Sequence, residues 1–452
     1  MGRGSGKGLL AAHPARFVVL AFAAAIAAGT VLLSLPIATA GDRPTDLMAS
    51  FFTATSAVCV TGLAVYDVGT HLTGFGQAVV LVLAQLGGLG FMTLASLIFI
   101  LVSQRLGLRF ALAASTERST LSLGDVRRVL TGVAVVTLAT EAVIAVILAL
   151  RLLVTYDYAL DDAIWHGVFH SVMAFNNAGF SLYPDSLERF AFDRIFTGAI
   201  MVAVVIGGLG FPVLVDLYQR RRNHRRWRSL SLHSRITLAA TTGLFAAGFV
   251  VLSLFEWGNP RTMGRHSIAD KLWLGLFGSV TPRTAGFHTM NPSAMTDEGL
   301  LATMALMFVG AGSAGTSGGI KVGTFALLGL VILAELRGSP EVVAFGRRIP
   351  DRVQRQALTV ALLAVGVIAG ATTLLLWSSD WTLRDAAFEA VSAFGTVGLT
   401  TRGTAQLPSF GQLSLTVVMF IGRLGPVTLG TALVLRMRTT RIRHPEEAPL
   451  IG

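Results

Sequence analysis

Charge is what this chain has least of. Only 13% of its 452 residues are Asp, Glu, Lys or Arg, about half the share usual in soluble domains. With 53% hydrophobic residues, that scarcity excludes an ordinary soluble domain and marks a polytopic membrane protein. Lysine is nearly missing: Lys7, Lys271 and Lys321 are three of 36 basic residues, the rest being arginine. The net charge of +11 therefore sits on arginines clustered between hydrophobic runs. There it reports topology rather than nucleic-acid binding. A single cysteine, Cys59, rules out an intrachain disulfide framework or a thiolate metal cluster, and its expected role is a small packed residue. The glycine-rich residues 1–8 lack the spacing and final Ser or Thr of a phosphate-binding loop, and no strand precedes them. They read as a flexible basic cytosolic end. The first apolar run is too long for a cleaved signal peptide. A soluble domain and a nucleotide fingerprint are both missing.

What is present is a repeated pattern. Spanning helices are predicted over residues 17–37, 77–102, 129–154, 196–217, 236–255, 357–377 and 413–435, each near the ~20 residues that a bilayer needs. An apolar stretch over 300–336 carries a glycine-rich break. Short helices are predicted over 46–58, 161–175, 269–280 and 383–394. About a dozen helical residues cover ~18 Å, enough to enter a membrane but not to cross it. Each short helix runs into a glycine motif: Thr61-Gly62-Leu63, Ala178-Gly179-Phe180, Ala285-Gly286-Phe287 and Val397-Gly398-Leu399. The four glycines are 117, 107 and 112 residues apart, a period too long for a solenoid unit. The glycine is common to all four, and a large apolar residue always follows it. One backbone feature is thus repeated while the side chains drift. Glycine admits φ > 0, which lets consecutive carbonyls turn to one side. Four such strands around an axis make rings of carbonyl oxygens, the way potassium filters replace a hydration shell. Four helix C-termini aimed at one point favour a cation. The other reading is four re-entrant hairpins that only pack.

The predicted architecture is an all-α polytopic membrane protein with eight spanning helices. It has four covalently linked helix–pore-helix–helix repeats around a pseudo-fourfold pore, over residues 1–128, 129–235, 236–356 and 357–452. The two termini and the loops ending near residues 128, 235 and 356 hold 24 Lys and Arg. Asp42, Asp46, Asp157, Asp161, Asp162, Asp185, Asp297 and Asp380 fall on the other side. Positive segments face the cytosol, so both termini are expected inside, in the cytoplasmic membrane.

The motifs, with Asn176-Asn177 before Ala178 and Arg283-Thr284 before Ala285, resemble the KtrB/TrkH superfamily of potassium-translocating subunits. The entry segment from His13-Pro14 to Leu35-Pro36 is similar too, and the resemblance covers nearly the whole chain. One span precedes the first motif, which is closer to KtrB than to TrkH. The resemblance implies that K⁺ is the substrate, held by backbone carbonyls of four segments: Val60, Thr61, Gly62 and Leu63; Asn177, Ala178, Gly179 and Phe180; Thr284, Ala285, Gly286 and Phe287; Thr396, Val397, Gly398 and Leu399. It also implies a homodimer, a separate KtrA-type nucleotide-binding ring on the cytosolic side, Na⁺ as an activator, no further cofactor and no catalysis. The second motif departs from a strongly selective filter, with Asn176-Asn177 in place of Thr-Val. A secondary transporter with a mid-membrane substrate site, in the manner of chloride exchangers, is the rival class. A H⁺-linked TrkH-like K⁺ transporter is the variant within the class.

The apolar stretch over 300–336 is too long for one straight helix and too short for two spans. A helix broken at Gly310, Gly312, Ser313, Gly315, Thr316, Ser317, Gly318 and Gly319 is the expectation, and broken helices mark ion paths. The resemblance places an intramembrane gate loop here. The alternative is a close-packing glycine stretch, as expected for Gly87-Gly88-Leu89-Gly90 and Gly207-Gly208-Leu209-Gly210. Arg423, mid-helix in the last span, costs about 2.5–3.5 kcal/mol to insert and should face a polar interior. It reads as an electrostatic barrier that binds the loop's carbonyls, or as a clamp between helices. Lys321 is either a second gate charge or snorkels to the cytosolic interface. Arg283 is expected to brace filter carbonyls from behind, and Glu141 to make a helix-packing hydrogen bond. The run Arg220–Arg228 reads as topology plus attraction to anionic lipid, or as a docking surface for a cytosolic regulator. A cysteine placed at Asn223 should therefore react with maleimide only from the cytosolic face. Labelling from outside intact cells would overturn the eight-span reading.

Overall fold

The computed structural model describes residues 14–41, 46–111, 123–222 and 230–435. Residues 223–229, where most of the Arg220–Arg228 run falls, lie outside that set. Four described helices are long and apolar enough to cross a membrane: Gly74–Thr93, Val129–Thr155, Leu232–Glu256 and Asp351–Ser378. A first helix, Pro14–Leu33, and a last, Ser409–Leu435, flank the chain.

Between them lie four short helices, Leu47–Cys59, Leu160–Asn176, Ile268–Val280 and Leu383–Gly395. Local chemistry starts three of them. Asp46 accepts from the Met48 amide, Ser267 from the Asp270 amide, and Thr382 from the Asp385 amide. Each side-chain oxygen satisfies a donor that the first helical turn leaves free. Three of them also end alike, with a left-handed residue at Val60, Asn177 or Thr396. The amides of Thr61, Ala178 and Val397 then reach back to Ser56, Met173 and Ser392 at 2.8, 2.8 and 2.9 Å. That is the Schellman pattern, which closes a helix and turns the chain away from its axis. The third helix stops earlier, at Val280. Pro282 cannot continue it, and an extra turn intervenes, closed by Ala285 donating to Thr281 at 3.0 Å.

Helix packing runs around a circle. The first short helix packs against Gly74–Ala111, and that helix packs against the second short helix. Arg194–Leu209 packs against the second and the third. Asp297–Phe308 packs against the fourth, and Ser409–Leu435 touches both the fourth and the first. The side chains between them form the buried core, with Phe52, Phe169, Phe175, Phe277, Phe287 and Phe388 almost wholly enclosed.

Two elements differ from the sequence reading. The single span predicted over 196–217 is instead two helices, Arg194–Leu209 and Phe211–Arg222, which meet at 100°. Gly210 makes the corner at φ +91°, a conformation that costs glycine little. The polar segment over 337–356 holds a two-stranded hairpin, Val343–Ala344 paired with Arg347–Arg348. Its turn residues Phe345 and Gly346 both have positive φ, the two-residue turn that suits strand twist. Among the described residues the other named elements are helices, and the break predicted in the 300–336 stretch falls between Asp297–Phe308 and Val322–Leu336.

Candidate functional site: a carbonyl ring above a glycine loop

The four motifs share one backbone conformation. Left-handed residues alternate with ordinary ones at Val60 and Gly62, Asn177 and Gly179, Thr284 and Gly286, Thr396 and Gly398. In an extended strand carbonyls point to alternate sides. A left-handed residue at every second position turns them to the same side. Four of these eight positions are not the glycine that the motif displays, and all four carry a side chain into a region that such residues rarely occupy.

The strands close into a ring, and the glycines are the points of contact. A Cβ added at Gly62 would lie 2.4 Å from the carbonyl oxygen of Ala178. At Gly179 it would lie 2.8 Å from Cα of Gly286. At Gly286 it would lie 2.4 Å from the carbonyl of Val397, and at Gly398 2.4 Å from that of Thr61. The order is first, second, third, fourth, first. The ring offers carbonyl oxygens; among the described residues no three His, Cys, Asp or Glu gather as metal ligands.

Different side chains hold each strand from behind. Ser56 Oγ accepts from the Gly62 amide and Ser392 Oγ from the Gly398 amide, both at 3.1 Å. Asn177 and Thr284 face each other at 3.2 Å and join the second strand to the third. With the Asn177 amide turned so that its nitrogen faces Ala174 and Val204, its oxygen accepts from the Thr284 hydroxyl. Arg283 does not brace the ring. Its guanidinium donates to the carbonyls of Thr241 at 3.2 Å and Gly310 at 3.3 Å, and stacks over Phe245. The extra turn after Pro282 swings it toward the glycine loop.

That loop is ordered by backbone bonds. Gly310 donates to Ile320 at 2.8 Å and Val322 to Ala311 at 3.0 Å, so its two ends are pinned together. Gly312 donates to Gly208 at 2.8 Å and Thr316 to Gly207 at 3.1 Å. Phe211 donates to Ala314 at 3.3 Å. The Gly207–Gly210 segment is therefore not mere close packing, because its bend supplies partners for the loop. The loop also reaches the base of the ring. Thr316 Oγ1 donates to the Phe175 carbonyl at 3.2 Å, and a Cβ on Gly318 would lie 2.2 Å from Thr396 Oγ1.

Two buried cations grip the loop. Arg423 donates to the carbonyls of Thr316 and Gly87, the second at 2.9 Å. Lys321 donates to the carbonyl of Ser317. Both stand over the ring of Phe91, at 4.4 Å for Arg423 and 5.3 Å for Lys321. Lys321 is 7% exposed, so it does not snorkel. Ser317 Oγ accepts from the Ala311 amide at 3.1 Å. Ser313 and Gly315 line the segment beside Gly207 and Gly210, while Gly319 donates to Gly422 at 3.2 Å.

A family model described as TrkH, cation transport protein, matches residues 10–442. The chain belongs to the TrkH family. It is 37% identical over 439 residues to Ktr system potassium uptake protein B of Bacillus subtilis, covering 97% of each chain. It is 36% identical to the protein of the same name from Vibrio alginolyticus, over 97% of this chain and 94% of that one. Potassium/sodium uptake protein NtpJ of Enterococcus hirae is 32% identical over 450 residues, with 97% of both chains covered. The crystal structure of the potassium transporter TrkH from Vibrio parahaemolyticus superposes with a TM-score of 0.76 at 20% identity, over 97% of this chain and 87% of that chain. The TrkH fold and a membrane protein for cation transport, not an enzyme, thus agree with the reading of the motifs.

Several residues of this TrkH-family site went unread in the sequence. Ser56 and Ser392 each lie six positions before a motif glycine, a shared register that aligning the motifs exposes. Gly210 and Phe91 carry no such signal, since each depends on a partner far along the chain. Gly286→Ser should lower cation transport and loosen discrimination between monovalent cations, because the Cβ meets the Val397 carbonyl and opposes φ +76°. Transport assays at matched protein level check this; unchanged affinity and discrimination would remove Gly286 from the ion path.

Proposed function

We propose that this protein takes up potassium across the cytoplasmic membrane, with the carbonyl ring as its selectivity filter. The observation that carries the reading is the alternation of left-handed residues in four strands that close on one another through their glycines. Such a ring can replace the hydration shell of a monovalent cation. The short helices end at the ring, so partial negative charge converges there, which suits a cation and not an anion. The names of the Bacillus and Vibrio relatives, potassium uptake proteins, support K⁺ as the substrate. The name of the Enterococcus relative, potassium/sodium uptake protein, supports a part for Na⁺, here as activator. Four repeats over 1–128, 129–235, 236–356 and 357–452 account for the circular packing. Eight spans are reached by counting the bent and broken helices and the two flanking helices. The basic segments put both termini in the cytosol. The relatives' assignment to a Ktr system supports a KtrA-type cytosolic ring as partner. A homodimer is proposed from the resemblance alone.

In this reading K⁺ sheds water into the ring, meets the glycine loop below it, and passes when the loop moves. The loop cannot become continuous helix cheaply, since each interior glycine costs about 1 kcal/mol relative to alanine. Arg423 and Lys321 hold it shut through its carbonyls and place positive charge on the path. The direct test is growth of a K⁺-uptake-deficient bacterium at low K⁺, with and without Na⁺, beside ⁸⁶Rb⁺ and chloride flux in proteoliposomes. Rescue and ⁸⁶Rb⁺ flux are expected; chloride flux without ⁸⁶Rb⁺ would overturn the reading.

The gate has its own test. Deleting Ala314 to Gly318 should raise K⁺ flux, and so should Arg423→Ala. The two should be less than additive, because the Thr316 carbonyl that Arg423 grips lies within the deleted stretch. Parent-like flux from both folded variants would make the segment packing, and full additivity would make loop and arginine independent barriers.

A further inference from the structure

Asn176 is the last helical residue of the second short helix and directly precedes Asn177, the first left-handed residue of the second strand. It is fully buried. Its amide nitrogen donates to Gln85 Oε1 at 2.5 Å, to Glu141 Oε1 at 3.1 Å and to the Val172 carbonyl at 2.9 Å. Gln85 closes the triangle by donating from Nε2 to Glu141 Oε2 at 3.1 Å. The main-chain carbonyl of Glu141 accepts from Ser171 Oγ at 2.6 Å. Gln85 lies on Gly74–Ala111 and Glu141 on Leu123–Thr155. Two long helices therefore grip the second short helix one residue before its strand begins. Gly88 makes room, since a Cβ there would lie 2.0 Å from Asn176 Oδ1.

The triangle has a direction. Both carboxyl oxygens of Glu141 accept from side-chain amides, one from Gln85 and one from Asn176. Among the described residues Glu141 has no Lys, Arg or His in an ion pair. A buried carboxylate without a basic partner is costly.

We infer that Glu141, acting through Gln85 and Asn176, is a positioning residue for the second strand that sets which monovalent cation the ring accepts. The inference rests on the potassium-filter reading above. A carbonyl ring rejects Na⁺ only if its oxygens cannot draw in around the smaller ion. The second strand is where that resistance has to come from side chains. Its amide Gly179 N–H has no serine behind it of the kind that holds Gly62 and Gly398. The bracket on Asn176 and the Asn177–Thr284 contact take that place.

The test is K⁺ and Na⁺ uptake by the full chain in proteoliposomes, comparing the parent with Glu141→Leu, Glu141→Gln and Gln85→Leu. Thermal unfolding in detergent selects the variants that fold. Glu141→Gln keeps the shape but turns one accepting oxygen into a donor that faces an amide, and should raise the KM for K⁺ by about tenfold, the loss of one buried hydrogen bond. Glu141→Leu and Gln85→Leu should lower the K⁺ over Na⁺ preference by a similar factor, while the maximal rate for K⁺ stays within about twofold. Gln85 is only half-buried, so its variant keeps the question open to an answer where the Glu141 variants misfold. Folded variants with parent-like KM and preference overturn the inference. So does a drop in maximal rate alone, which a purely structural contact would give. A parent that carries no K⁺ overturns the potassium reading and this inference together, which separates the two failures.

Discussion

The missing Cβ atoms of Gly62, Gly179, Gly286 and Gly398 are the constraint on which the rest of the structure depends. Each faces the next strand so closely that a methyl group would enter its backbone. The ring is thus held at a diameter set by backbone meeting backbone, without intervening side chains. Every other feature serves that approach. Three of the short helices end in left-handed caps that bend the chain into the ring, and an extra turn after Pro282 does so for the third short helix. The long helices pass from one short helix to the next, so the circle of packing reproduces the circle of strands. A shift in one strand is felt by its neighbour, because the contact is between their main chains.

The sequence displayed the parts of this plan that local chemistry sets. Asp46, Ser267 and Thr382 are helix-starting residues with the right side-chain oxygens, and the short helices begin at all three. The motif glycines were legible because φ > 0 tolerates few alternatives. The break over 310–321 was legible because Ser and Thr among glycines have no place in lipid. The bend at Gly210 was not. A glycine permits a corner without requiring one, and this corner exists because Gly208 and Gly207 accept from a loop about a hundred residues later. Arg283 was misread for a related reason. Three residues from a ring glycine suggests a brace, but Pro282 adds a turn that carries the guanidinium to Gly310 instead. For Lys321 the sequence left two readings, a gate charge or a long stem snorkelling to the interface; burial beside Ser317 and Phe91 removes the second.

The glycine loop and the ring meet through shared chemistry. Breaking a helix frees carbonyls that must find donors. Here two consecutive carbonyls, of Thr316 and Ser317, find Arg423 and Lys321. Two cations over one phenyl ring, gripping neutral carbonyls, would be poor design for a protein that only needed stability. They make sense if the carbonyls have a second customer. In the proposed path a cation leaving the ring needs oxygen ligands, and the Thr316 and Ser317 carbonyls are already donated to by the guanidinium and the ammonium. In the proposed gate the fixed charges and the travelling ion compete for one set of acceptors. On that proposal, while Arg423 and Lys321 hold them the path offers repulsion and no coordination, and withdrawal of the loop removes the barrier and the occupied ligands together. A single backbone displacement would then change both the electrostatic and the steric state of the passage.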